Sequence, residues 1–203
     1  FAMFAAGRAF EQIRNTVGYP HLNVKVAATH AGLSVGEDGA SHQCCEDIAL
    51  MRTIPGMVIL SPADDVEARA AVIAAYNYEG PVYLRFSRLP SPVFHNPDNY
   101  EFHIGKGEKL TDGFDAAIIA TGLMTAEALR AAVLAKRQGI SVRVINMPTI
   151  KPLDEEIVLT AARECHNIIT VEEHNVIGGL GEAVCSLLSE KMPTPVRRIG
   201  VQD

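Results

Sequence analysis

Short apolar segments of strand length alternate with segments of helical length along almost the whole chain. The predicted strands are 22–28, 57–62, 81–86, 116–121, 141–147, 167–173 and 195–201. The predicted helices are 1–17, 44–54, 64–78, 124–138, 154–164 and 178–190. Because two parallel strands need a long crossover connection, this alternation predicts an α/β fold whose mostly parallel sheets are covered by helices on both faces.

A proline-rich segment interrupts the alternation near the middle of the chain. Residues 87–102 contain three prolines and two asparagines, and they show the weak periodicity that is typical of a connection between domains. The pattern then restarts with a predicted hairpin around Asp112 and Gly113. We therefore predict two domains, each a mostly parallel sheet flanked by helices. The predicted units are a first domain at 1–96, a linker at 97–108 and a second domain at 109–203.

Composition excludes several classes of protein. The chain has 203 residues, of which 48% are hydrophobic and 21% charged, and its formal net charge is −6. Proteins that bind nucleic acid usually carry a basic patch, so this charge argues against a nucleic acid partner. The apolar runs are shorter than the ~20 residues of a membrane helix, and no signal peptide is visible. The four cysteines lack zinc-site spacing, and free thiols suit a reducing compartment, so we expect a cytoplasmic protein without a membrane partner.

Residues 29–43, THAGLSVGEDGASHQ, combine two histidines with an acidic pair and three glycines. This segment follows the predicted strand 22–28, and ligands of open parallel sheets bind beyond the carboxyl ends of strands. Glycines let a backbone turn closely around a ligand, and the imidazoles of His30 and His42 can exchange protons near neutral pH. Asp38 can accept hydrogen bonds from hydroxyl groups. The alternative is a structural loop whose histidines cap nearby carbonyl groups and whose acids face water.

Arg88 offers a positive charge at a comparable position in the fold. It follows the predicted strand 81–86, and its guanidinium group can bind an anionic phosphate through two hydrogen bonds. The alternative for Arg88 is a salt bridge to the acidic loop. Arg85 points in a different direction because side chains alternate along a strand, so we expect it to form a structural ion pair.

Two other features have ordinary structural explanations when the residues are considered alone. Phe1 and Phe4 are one helical turn apart, a spacing that usually indicates packing against a core. Residues 172–174, Glu-Glu-His, are contiguous on a predicted strand, so their side chains alternate between its faces. This arrangement favours a structural or interface role over a metal site, and we predict no metal ligands in this chain.

Taken together, these segments resemble the carboxyl-terminal half of a transketolase. The most specific part is 29–43, which is similar to the family pattern Thr-His-Asp-Ser…Gly-Glu-Asp-Gly-Pro-Thr-His-Gln. Residues 50–64, LMRTIPGMVILSPAD, match the family's Arg-x-Ile-Pro-Asn run and Pro-x-Asp turn. The pair SR at 87–88 and TIKPLD at 149–154 add to the resemblance. It covers essentially the whole chain and implies a thiamine-diphosphate-enzyme pyrimidine domain followed by a transketolase C-terminal domain.

The resemblance also implies which residues bind the cofactor. Phe1 and Phe4 match aromatic residues that pack against the aminopyrimidine ring of thiamine diphosphate, which replaces the core-packing expectation for them. Gly7 stands where the family often has a third aromatic residue, so the aromatic wall is expected to be thinner here.

The substrate-binding residues implied by the resemblance come from the loop and from Arg88. His30 and His42 match catalytic histidines that hydrogen-bond the hydroxyl and carbonyl oxygens of the sugar. Asp38 matches an acid that binds a sugar hydroxyl, and Arg88 matches an arginine that binds the distal phosphate. The implied reaction is transfer of a two-carbon ketol unit from a ketose phosphate to an aldose phosphate.

The family's catalytic glutamate would lie upstream of Phe1, and the domain that holds Mg²⁺ and the diphosphate would be a separate N-terminal subunit. The resemblance therefore implies the C-terminal subunit of a split transketolase, active in the pentose phosphate pathway but inactive alone. We expect it to form a homodimer or a larger assembly and to act on sugar phosphates.

Three alternatives stay open from the sequence. Ala31 and Gly32 replace the usual Asp-Ser of transketolases, and Ala-Gly-Leu at 31–33 resembles 1-deoxyxylulose-5-phosphate synthase instead. The β subunit of a 2-oxoacid dehydrogenase shares the domain order. A non-catalytic assembly subunit could also keep this fold.

Overall fold

The computed structural model describes residues 1–203 and contains two sheets. The first sheet has four strands in the order β1-β3-β2-β7. These strands are β1 Lys25–Ala28, β2 Val58–Leu60, β3 Val82–Arg85 and β7 Thr149–Lys151. Strands β1, β3 and β2 are parallel, whereas β7 pairs antiparallel with β2. Strand β7 comes from the predicted second domain, so one strand crosses the predicted limit between the domains.

Helices cover both faces of the first sheet because its strands are apolar on both sides. Ile59 of β2 and Tyr83 of β3 pack in a core with the N-terminal helical segment and with Asp47–Arg52, which forms α2. Val58 and Leu60, on either side of Ile59, pack instead against Asp65–Asn77, which forms α3. The helices are α1 Phe10–Gln12, α2 Asp47–Arg52 and α3 Asp65–Asn77. Wide π-helical turns at Met3–Arg8 and Ile13–Gly18 flank α1.

The second sheet has five strands in the order β4-β6-β5-β8-β9, and only β4 is antiparallel to its neighbour. Its strands are β4 Glu108–Thr111, β5 Ala116–Ala120, β6 Val142–Asn146, β8 Ile168–Asn175 and β9 Val196–Val201. The helices are α4 Met124–Arg137, α5 Glu155–Glu164 and α6 Leu180–Lys191. Side chains of β5 alternate between one core with α5 and α6 and another with α4. The predicted two-domain α/β class is confirmed. No helix has the length and apolar character needed to cross a bilayer.

The predicted hairpin around Asp112 and Gly113 is wrong. Strands β4 and β5 do not pair with each other, because β6 lies between them and forms the antiparallel partner of β4. The chain crosses the start of β6 at Gly113, where a side chain would collide with the backbone of Val142. Gly113 therefore allows two backbones to cross closely. An isolated glycine after an aspartate is equally typical of a hairpin turn, which is why the sequence indicated one.

The proline-rich segment is packed against both halves of the chain through His95. The side chain of His95 is only 3% exposed, and its Nδ1 lies 3.0 Å from Asp64 of the first half. Its Nε2 lies 2.9 Å from Glu108 at the start of β4. Asp64 also caps α3 by accepting the backbone N–H of Glu67 at 2.9 Å. A histidine between two carboxylates therefore joins the proline-rich segment to the start of α3, beside the first sheet, and to β4 of the second sheet.

This arrangement predicts a pH-dependent stability. Burial alone would lower the pKa of His95, but the hydrogen bond to Glu108 and the adjacent carboxylate of Asp64 raise it from 6.5 to about 9. The folded state thus favours the protonated ring, so this stabilisation is complete below pH 6.5 and is lost as the pH rises through 9. We expect the free energy of unfolding to fall by about 1–3 kcal/mol over that interval. Urea unfolding of the wild type and of His95→Gln at several pH values measures this change in the free energy of unfolding.

The matched control is His103→Gln, since His103 immediately follows the same segment but its side chain is 67% exposed. His103→Gln should keep the pH dependence of the wild type, whereas His95→Gln should flatten it. Equal slopes for the wild type and His95→Gln would show that His95 contributes no such stabilisation.

Candidate functional site

The histidine loop, residues 29–43, leaves the carboxyl end of β1 and is closed by a short backbone bridge. The N–H of Gly32 donates to the carbonyl of Cys44 at 2.7 Å, and the N–H of Cys44 donates back at 3.2 Å. His30 precedes this bridge and has a left-handed φ of 63°. Since His42 lies just inside the other side of the bridge, the closure brings the two histidines to one place.

Four rings form a cluster at this place. The ring centroid of Phe1 lies 4.1 Å from that of His30 and 5.1 Å from that of His42. Phe4 lies 5.8 Å from Phe1 and 5.1 Å from His42. Phe1 is 41% exposed, so core packing does not account for it. The two aromatic residues and the two histidines named from the sequence therefore share one surface, called here the ring cluster.

Hydroxyl groups next in sequence orient the two imidazoles. Oγ1 of Thr29 lies 2.8 Å from Nδ1 of His30, and Oγ of Ser41 lies 2.9 Å from Nδ1 of His42. Both contacts use Nδ1, which leaves Nε2 as the ring nitrogen that can meet a ligand. Thr29 and Ser41 were not among the site residues predicted from the sequence, although each is the immediate neighbour of a histidine. A hydroxyl residue directly before a histidine was the available signal.

Arg88 is paired with the acidic part of the histidine loop. Its Nη2 lies 2.7 Å from Oε1 of Glu37, and its Nε lies 3.8 Å from Oδ2 of Asp38. Gly36, with a φ of 72°, brings the loop backbone close to the guanidinium group. The salt-bridge alternative for Arg88 is thus present in this structure. Because the Glu37 side chain is 80% exposed, such a pair contributes only about 0–1 kcal/mol and is readily exchanged for another anion.

A buried ion pair lies beneath the loop, as expected for Arg85. Nε of Arg85 lies 2.8 Å from Oδ2 of Asp47, the first residue of α2, and both side chains are almost fully buried. The hydroxyl of Tyr83 donates to the same carboxylate oxygen at 2.9 Å. Burial alone would lower the pKa of Arg85, but Asp47 raises it. The prediction of a structural ion pair for Arg85 is confirmed.

The carboxylates of β8 have structural contacts, as the sequence favoured. Glu172 accepts the N–H groups of Leu180 at 2.7 Å and of Gly181 at 2.8 Å, and so caps the start of α6. Glu173 points to the other domain, where its Oε1 accepts the N–H of Ser34 at 2.6 Å. The contact of this second carboxylate with the histidine loop was not predicted from the sequence.

Comparison with known proteins identifies both halves of the chain. The family model described as the transketolase pyrimidine binding domain matches residues 1–92, and that of the transketolase C-terminal domain matches residues 105–203. A protein of Methanocaldococcus jannaschii with the provisional name transketolase C-terminal section is 49% identical over 100% of this chain and 64% of its own. A 6-deoxy-6-sulfo-D-fructose transketolase subunit of a Clostridium species is 42% identical over 100% of this chain and 63% of its own.

Among solved structures, a split-gene transketolase described as an inactive β4 tetramer matches with a TM-score of 0.94 and 51% identity. The match covers 100% of this chain and 65% of that one. The chain thus spans less than two thirds of the length of these relatives. It belongs to the transketolase family, of which it carries the pyrimidine-binding domain and the C-terminal domain.

Proposed function

We propose that this chain is the C-terminal subunit of a split transketolase. It supplies the pyrimidine side of the thiamine diphosphate site and the contacts to a sugar phosphate. The observation that carries the proposal is the ring cluster, in which the centroids of Phe1 and His30 are 4.1 Å apart. Two aromatic side chains and two histidines on one partly exposed surface suit a flat cofactor ring with a polyol beside it.

The aromatic residues fit the cofactor by their shape and exposure. Phe1 is 41% exposed and Phe4 is half-buried, so both keep surface for another aromatic ring. The guanidinium of Arg8 lies 4.6 Å from the centroid of Phe4 and covers part of it. When bound, thiamine diphosphate supplies the carbanion chemistry that breaks and forms carbon–carbon bonds. Phe1 and Phe4 would hold its pyrimidine ring, while a partner subunit holds the diphosphate and Mg²⁺.

The loop residues would hold the sugar. His30 and His42 would bind the hydroxyl and carbonyl oxygens through Nε2 and carry protons to and from them. Asp38, whose side chain is 30% exposed, would accept a hydrogen bond from a further hydroxyl. Arg88 would exchange Glu37 for the terminal phosphate, because a dianion with three acceptor oxygens binds a guanidinium more strongly than one exposed carboxylate does.

The experiment that tests the proposal compares the chain alone with the chain plus an N-terminal subunit. We expect Mg²⁺-dependent thiamine diphosphate binding and ketol transfer between xylulose and ribose phosphates only in the mixture. The assay includes a sulfonated ketose, since one relative is named for such a substrate. It also includes pyruvate with glyceraldehyde phosphate, the substrates of the synthase alternative. Full activity of the isolated chain would contradict the split-subunit proposal, and turnover of pyruvate would favour the alternative.

Replacement of Arg88 by alanine should raise KM for phosphorylated sugars by about tenfold or more. The reason is the loss of one charge-assisted hydrogen-bonding group, which contributes about 1.5–3 kcal/mol. Short donors without phosphate should be affected little. Steady-state kinetics of the reconstituted complex with both kinds of donor measures this difference.

Two further variants control for this effect. Glu37→Gln should lower KM for phosphorylated sugars, because it removes the carboxylate that competes for Arg88 at 2.7 Å. Arg69→Ala removes an arginine whose side chain is 76% exposed and paired with Asp65. It should change KM neither for phosphorylated nor for unphosphorylated donors. Equal losses with phosphorylated and unphosphorylated donors would instead make Arg88 a structural residue.

Replacement of His42 by alanine should lower kcat/KM by about a hundredfold or more, in the range of a lost proton-transfer group, while subunit assembly stays intact. Steady-state kinetics and analytical ultracentrifugation measure the two properties. Ser41→Ala, which removes only the hydroxyl 2.9 Å from Nδ1, should cause a smaller loss. If His42→Ala instead prevented folding without a specific kinetic defect, His42 would be structural.

A further inference from the structure

Glu173 is a buried carboxylate of the C-terminal domain that contacts the histidine loop. Its Oε1 accepts the N–H of Ser34 at 2.6 Å across 139 residues of sequence. The residue is 9% exposed, and its other oxygen, Oε2, is buried without a hydrogen-bond partner. A buried carboxylate oxygen without a hydrogen-bond partner lowers the free energy of unfolding, because it loses its water without gaining another donor. An apolar side chain at position 173 would fill the same space without this cost, so packing alone does not explain a glutamate there.

The carboxylate lies against the neck of the loop, defined as the bridge between Gly32 and Cys44. Any side chain at Gly32 would collide with the carboxyl group of Glu173, so the backbone passes directly over it. Gly32 lies two residues after His30, and Cys44 lies two residues after His42. A movement of the neck therefore changes the position of both histidines together.

Main-chain contacts fix Glu173 itself. Its carbonyl oxygen accepts a hydrogen bond from Nη2 of Arg85 at 2.8 Å, and Nε of the same arginine binds Asp47 at 2.8 Å. The residue is thus held through its backbone to the buried ion pair of the first domain and through its side chain to Ser34. Because Glu173 is itself held by Arg85, its hydrogen bond to Ser34 restricts the movement of the histidine loop at that residue.

We propose that Glu173 is a positioning residue, through which the C-terminal domain fixes the placement of His30 and His42. The inference rests on the proposed function for its catalytic consequence, but not for its effect on the order of the loop. Glu173 hydrogen-bonds to neither histidine, so it acts through the neck. Catalysis depends steeply on such placement, because a misplacement of about 1 Å can reduce a rate a hundredfold.

The test compares Glu173→Ala, Glu173→Gln and Glu172→Ala in the reconstituted complex. Glu173→Ala should lower kcat/KM at least tenfold, mainly through kcat. Glu173→Gln should restore most of this loss, because its amide oxygen can still accept the N–H of Ser34. Glu172→Ala is the matched control: Glu172 is also buried and lies on the same strand, but it caps α6. That variant should lower Tm while leaving kcat/KM within about twofold of the wild type.

Hydrogen exchange of the full chain gives a second readout that does not require activity. The backbone amides of residues 29–43 should exchange at least tenfold faster in Glu173→Ala than in the wild type. Their exchange rates in Glu172→Ala should equal those of the wild type. If Glu173→Ala does not fold, Glu173→Asp replaces it, since aspartate keeps the charge but is too short to reach Ser34.

The outcomes separate this inference from the proposed function. A wild-type complex without ketol transfer would contradict the proposed function, while the exchange rates would still decide the role of Glu173. Unchanged exchange and unchanged kcat/KM in Glu173→Ala would overturn the positioning role. Equal kinetic losses in Glu173→Ala and Glu172→Ala would also overturn it, because they would indicate general destabilisation.

Discussion

The buried ion pair between Arg85 and Asp47 is the interaction on which the arrangement of the site depends. It joins the end of β3 to the start of α2, which is the helix that follows the histidine loop. The same guanidinium binds the carbonyl of Glu173 at 2.8 Å and so attaches the second domain. Removal of one partner of such a buried pair costs about 3–5 kcal/mol, because the other charge stays buried without compensation. The pair therefore fixes β3, α2 and β8 relative to one another. The histidine loop connects β1 to α2 and contacts β8 through Glu173, so its position depends on these elements.

Regular elements of this fold could be predicted from sequence because they depend on local periodicity, whereas the pairing of strands could not. The alternation of apolar residues identified the main strands and helices, including β5 and α4, close to their observed limits. Strand β7 was missed because it has only three residues and its partner, β2, lies in the other half of the chain. The wrong prediction of a hairpin at Gly113 has a similar origin, because a glycine is compatible with both a tight turn and a close backbone crossing. Only the pairing of β4 with β6, which the sequence does not show, distinguishes the two.

The candidate site shows the same division between local and distant information. The motif placed His30 and His42 on one loop, and the bridge at Gly32 explains how they come together. Spacing alone favoured a core position for Phe1, and only the structure brings its ring to 4.1 Å from His30. The contact of Glu173 with the loop spans 139 residues, so no periodic pattern could reveal it. Tertiary contacts of this kind depend on how two domains pack, which a single sequence does not specify locally.

The pairing of Arg88 with Glu37 bears on how the proposed anion site could exist on an acidic protein. The chain has a formal net charge of −6, so an unpaired arginine would be attracted to many surface carboxylates. Glu37 satisfies it locally, with an N–O distance of 2.7 Å, at an exposed position where the pair contributes little stability. In the proposed function, a sugar phosphate would have to outcompete only this weak contact, and Asp38, whose carboxylate lies 3.8 Å from Arg88, would accept a hydroxyl. The weak pair thus orients Arg88, and the proposed exchange of this carboxylate for a phosphate would cost little stability.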